Sequence, residues 1–105
     1  NFQRATHYFS TLAAHLRPDV ITYSALINGA AMRGDFQQAR LWFEHMEDSG
    51  IASNALVWNS LLKAVIRSTF SQEKKKHVLK KLFRAMVEDR GVKPDRATLT
   101  TLDIV

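Results

Sequence analysis

The chain repeats itself, and that property limits its folds more than any other. Tyr23, Leu26, Ile27, Ala30 and Ala31 fall at i, i+3, i+4, i+7 and i+8, the spacing that gathers side chains on one stripe of an α-helix. In the same register 35 residues later stand Trp58, Leu61, Leu62, Val65 and Ile66. A stripe that recurs in register marks an array of like units.

Each unit carries a second helix. Arg33, Gly34 and Asp35 interrupt the first stripe, with glycine suited to a helix stop and aspartate to the N-cap of the next helix. Phe36, Ala39, Phe43 and Met46 then resume helical spacing to about Asp48, and Gly50 ends the run. Residues 20–54 therefore read as an αα-hairpin. The second copy, 55–95, closes on FRAMVEDRGVKPD where the first has FEHMEDSGIASN, and the offset has grown to 40 at the phenylalanine and 41 at the glycine. It is six residues longer than the first. Most of the addition lies around 68–76, as a longer turn or about one further turn of helix, and one residue falls just before Gly91.

Fragments flank the two copies. NFQRATHYF at 1–9 matches DFQQARLWF at 35–43, so 1–19 read as the second helix and closing loop of an earlier unit. After Asp95, ATLTTL opens a further first helix over 96–105, with Leu99 and Leu102 where Tyr23 and Leu26 stand and Asp103 in place of Ile27. The expected fold is all-α, an α-solenoid of stacked helix-turn-helix repeats with two full repeats between two partial ones. One hairpin cannot bury both its apolar faces, so copies stack on a shared core, and the ends present apolar surface to missing sequence or to a partner.

Composition narrows the function. A 105-residue chain that is 46% hydrophobic and 24% charged is ordinary for a soluble globular protein. No apolar run approaches the roughly 18 residues of a membrane span, so no membrane role is expected. Without cysteine there is no thiolate metal site and no cysteine nucleophile. His7, His15, His45 and His77 lack metal-ligand spacing, and no glycine-rich phosphate loop occurs. The chain reads as a non-enzyme with no cofactor, no metal and no small-molecule substrate. The net charge of +5 is unevenly placed: residues 1–54 carry four Arg against five acids, −1, while 55–105 carry eleven Lys and Arg against five acids, +6. A basic half suggests an anionic partner, the alternative being a solvated helix face.

The period near 35, first helices opening on TYSALI and VWNSLL, second helices carrying ARLWFEHM, and closures in GI or GVKPD together resemble the pentatricopeptide repeat family. The resemblance covers essentially the whole chain. It implies an RNA-binding superhelix of a mitochondrion or plastid, with the first helices lining the concave face and each repeat addressing one base. In that family the fifth and last residues of a repeat read the base edge, and an aliphatic second residue packs on the base. Carried over, these are Ser24, Asn54 and Ile21 in the first repeat and Asn59, Asp95 and Leu56 in the second. The first pair implies adenine and the second uracil, read 5′ to 3′. A third repeat offers Thr100 and Ala97, and the opening fragment offers only Asp19. The partner implied is RNA, single-stranded or ribosomal, with protein partners of a larger assembly.

The residues themselves leave alternatives open. Asp19, Asn54 and Asp95 each precede a first helix and are also natural N-caps, each stabilising its helix by about 1 kcal/mol. Phosphate contacts on the concave side fall to Arg33, Lys63 and Arg67. Lys74, Lys75, Lys76, His77, Lys80, Lys81 and Arg84 form a basic outer face suited to the phosphates of structured RNA such as ribosomal RNA. Trp42, Phe43, Trp58 and Phe83 belong to the core rather than to base-stacking platforms. A protein-binding scaffold without base reading is the competing class of function.

Overall fold

The computed structural model describes residues 20–103. They form five α-helices: α1 (Val20–Met32), α2 (Phe36–Asp48), α3 (Ala55–Ile66), α4 (Gln72–Arg84) and α5 (Arg96–Asp103). A π-helical turn, Ala85–Asp89, continues α4. The opening fragment, with Asp19, lies outside the described residues.

Three helices, α1, α3 and α5, pack side by side in a row, while α2 covers α1 and α3 and α4 covers α3. The apolar stripes explain this layering. Tyr23, Ile27, Ala30 and Ala31 from α1 and Val57, Trp58, Leu61 and Ala64 from α3 meet Ala39, Trp42, Phe43 and Met46 from α2 in one buried cluster. Phe43 and Trp58 make the junction between hairpins, edge to face with ring centroids 4.8 Å apart and planes at 64°. A second cluster of Leu62, Val65 and Leu79, flanked by Leu102, joins α3, α4 and α5.

The two turns within the hairpins differ. In the first, Gly34 has φ 70°, and a Cβ there would stand 2.3 Å from the Arg67 carbonyl oxygen. Glycine is needed twice over, for the left-handed backbone and for the close approach of the next hairpin's turn. Asp35 then caps α2 by accepting from Gln38 N at 3.1 Å. The second hairpin turns through 67–71, and α4 starts four residues earlier than the alignment with α2 requires, so the sequence addition both lengthens the turn and adds a helical turn. Ser71 caps it, accepting from Lys74 N at 3.2 Å.

The single residue added before Gly91 is absorbed by the π-helical turn. Arg90 N donates to Ala85 O, five residues back, at 3.0 Å. A wider turn accepts one more residue without shifting the helix before it. Met86 consequently stays fully buried, like Met46 in the first hairpin.

One expectation fails in α5. Leu99, aligned with the buried Tyr23 and Trp58, is 54% exposed, and Thr98 is the fully buried residue instead. Tyr23 lies under α2, its ring 5.8 Å from that of His45. Among the described residues no second helix succeeds α5 to cover Leu99. Burial in α5 is set by α3, which meets Thr98, and by the cluster of α3 and α4 that Leu102 flanks.

Candidate nucleic-acid interface

The open face of the helix row carries the sequence-derived site residues. Ile21 and Leu56, each the second residue of its helix, are 73% and 61% exposed, the two most exposed large hydrophobics among the described residues. They border a groove of about 350 Å³ between α1 and α3, which Ser24, Asn28, Asn54 and Ser60 complete. The structure thus brings together Ile21, Ser24, Asn54 and Leu56, the full set expected at one reading position and the aliphatic neighbour of the next.

Ser24 is 7% exposed. Its Oγ is buried and, among the described residues, has no hydrogen-bond partner. An unpaired buried hydroxyl is costly, so its retention calls for a reason. Asn54 stands at the N-cap of α3, its Oδ1 accepting from Val57 N at 3.0 Å. The capping reading is therefore correct for Asn54, yet capping uses only the carbonyl oxygen and leaves the amide NH2 available.

The second pair is arranged differently. Asn59 Nδ2 donates to Asp95 Oδ1 at 3.0 Å, so the fifth and last residues are in contact across 36 positions of sequence. Asp95 Oδ1 also accepts from Thr98 N at 2.9 Å, capping α5. The Thr98 hydroxyl lies 3.0 Å from the same oxygen and donates to Asn59 Oδ1. The Thr98 backbone donor, and then the Asn59 amide, hold the Asp95 carboxyl below the usual carboxylate range. Every one of these bonds uses Oδ1, and none of them engages Oδ2. Thr100 and Ala97 are exposed on α5.

The concave-side cations are engaged with the protein. Lys63 Nζ donates to Asn28 Oδ1 at 3.1 Å, bridging equivalent positions of α1 and α3. Arg67 Nε donates to Met32 O at 3.1 Å, and Arg33 to Gln38 Oε1. All three tie turns and helices together, and any phosphate they met would compete with these contacts. On α4, Lys75 donates to Ile66 O at 2.8 Å and Lys74 lies 4.2 Å from the centre of the Phe70 ring, so both help to seat the helix. Lys76, His77, Lys80, Lys81 and Arg84 point into solvent, and of these only Arg84 has a nearby acid among the described residues, Glu88 at 3.8 Å. By contrast, α2 pairs its one arginine, Arg40, with Glu44 at 3.8 Å.

Sequence reasoning missed Thr98 and Asn28. Asn28 and Lys63 share one repeat position, which was a usable signal. Thr98 gave none, because the matching residue in α3 is the apolar Val57. Among the described residues no cluster of three or more His, Asp or Glu is placed to hold a metal ion. No helix among them is long and apolar enough to cross a membrane.

Residues 18–67 match the model of the PPR repeat family. The chain is also 29% identical over 82 residues, 78% of its length, to a chloroplastic pentatricopeptide repeat-containing protein of Arabidopsis thaliana. It spans only 10% of that relative's length.

Proposed function

The chain belongs to the pentatricopeptide repeat family, whose members are helical-repeat proteins that typically bind RNA in organelles, and from that premise we propose that the α1, α3 and α5 face binds single-stranded RNA and reads it base by base. The observation that carries the reading is the groove between α1 and α3, where a buried, unpartnered Ser24 hydroxyl lies beside exposed Ile21 and Leu56 and the unused Asn54 amide. In this reading a base slides between the two aliphatic side chains, and its edge meets Ser24 and Asn54. The Ser24 hydroxyl, whose proton rotates about the C–O bond, can both donate and accept, as adenine requires.

At the second position Asn59 presents one remaining amide N–H and Asp95 presents Oδ2. A donor beside an acceptor complements a uracil carbonyl beside its N3–H. The repeats so defined run 20–54 and 55–95, with 1–19 and 96–105 as parts of neighbours, Thr100 with Ala97 serving a third base. Arg33, Lys63 and Arg67 line the edges of the path. The exposed Lys76, Lys80, Lys81 and Arg84 of α4, flanked by Lys74 and Lys75, attract the phosphates of structured RNA on the outer face. We place the protein in a plastid, like its Arabidopsis relative, in a large ribonucleoprotein such as a ribosome.

Two reading positions contribute little discrimination by themselves, about 1–3 kcal/mol each at best. The test is a salt titration of binding to short RNAs that carry adenine and uracil at adjacent positions. Affinity should fall steeply with salt and should drop when adenine or uracil is replaced. No RNA binding at low salt, with binding to a protein partner instead, would leave the scaffold reading.

A further inference from the structure

We propose that Thr98, a residue of the following repeat, is a positioning residue that sets the base preference of the Asn59 and Asp95 pair by occupying the Asn59 carbonyl, so that Asn59 offers a base only a donor. This role rests on the base-reading function proposed above.

Donors and acceptors at the pair assign the amide. An ionised Asp95 only accepts, so the Asn59 group 3.0 Å from its Oδ1 is the NH2 end of the amide. The other end, Oδ1, then needs a donor. Thr98 is fully buried and its hydroxyl has one proton. Asp95 Oδ1 already accepts from Thr98 N and from Asn59, whereas Asn59 Oδ1 has no other donor among the described residues. The proton therefore goes to Asn59. Both ends of the amide are assigned independently, and the two assignments agree.

The consequence concerns what a base meets. With its carbonyl occupied by Thr98, Asn59 presents only a donor, and the acceptor role passes to Asp95 Oδ2. Without the Thr98 hydroxyl the carbonyl is freed, so Asn59, still donating to Asp95, offers a base an acceptor beside its remaining donor. A site that offers both accommodates edges a lone donor rejects. The first groove shows the contrast: Val57 occupies the place of Thr98, has no hydroxyl, and supplies only its backbone N–H to Asn54.

The experiment compares the full chain with Thr98→Val, Thr98→Ser, and Asn59→Ala, measuring dissociation constants for RNAs that differ only at the second base. Thr98→Val should lower the preference for uracil by about fivefold, near the smaller end of one base contact, with the first-base preference and the unfolding midpoint of the chain little changed. Thr98→Ser keeps the hydroxyl and should keep the preference. If Asn59→Ala relaxes the preference and Thr98→Val does not, the positioning role is wrong while base reading stands. If neither variant changes it, both fall.

Discussion

Two candidate reading positions built from matching places in the sequence have opposite internal states. At the first, the Ser24 hydroxyl is buried without a partner and Asn54 has an idle amide nitrogen. At the second, Asn59, Asp95 and Thr98 satisfy one another. If the two positions read bases as proposed, a repeat's preference is not held within the repeat alone. The neighbour helix contributes, through Val57 in one case and Thr98 in the other. The first site is open, and a bound base edge would complete it; the second is preset, and a base must match what is left over.

The same contrast runs through the turns and outer helices, where it can be tested with larger effects. Gly34 combines a left-handed backbone with a 2.3 Å approach to the Arg67 carbonyl, whereas Gly50 and Gly91, also at positive φ, meet nothing within 4 Å of a Cβ. Gly34→Ala should destabilise the chain by about 3 kcal/mol, and Gly50→Ala or Gly91→Ala by only about 1 kcal/mol. Denaturant unfolding measures all three. Equal losses would show that the turns do not lock the hairpins together.

Next in size is the outer-face difference. Replacing Lys76, Lys80, Lys81 and Arg84 together by alanine should weaken binding to a structured RNA roughly tenfold at low salt and reduce the salt slope by about 0.9 for each phosphate no longer neutralised. The preference among bases should not change. Replacing Arg40 of α2, which is paired with Glu44, should do neither.

The fold was legible because the apolar stripe of Tyr23 to Ala31 recurs in register at Trp58 to Ile66, with glycine stops and caps between the two. Even the residue added before Gly91 was visible as a change of offset, although only the structure shows that a π-helical turn absorbs it. Burial at the end of the row was not legible. Leu99 and Tyr23 look alike in sequence, but burial depends on the covering helix, which a repeat pattern takes for granted. The site was legible as residue types and positions. The pairing of Asn59 with Asp95, 36 residues apart, and the role of Thr98 depend on how consecutive hairpins stack.

The smallest effect concerns acid. The Asp95 carboxyl is held below its ordinary value by Thr98 and Asn59, so its contribution is complete above the unfolded carboxylate pKa, about 3.9, and is lost as pH falls through the lower folded value. The second site should therefore loosen in acid below that range. Unfolding midpoints followed against pH should dip more for the native chain than for Asp95→Asn. The first site has no carboxylate, and Asn54→Ser should leave the acid limb as it was.

Ser24→Ala tests the central claim most directly, because folding and reading pull in opposite directions there. Removing a buried hydroxyl that has no partner should leave stability unchanged or raise it by about 1 kcal/mol. The same substitution should erase part of the preference at the first base and leave the second untouched. A variant that loses stability and keeps its first-base preference would mean that Ser24 serves the fold, and that the groove between α1 and α3 does not read RNA.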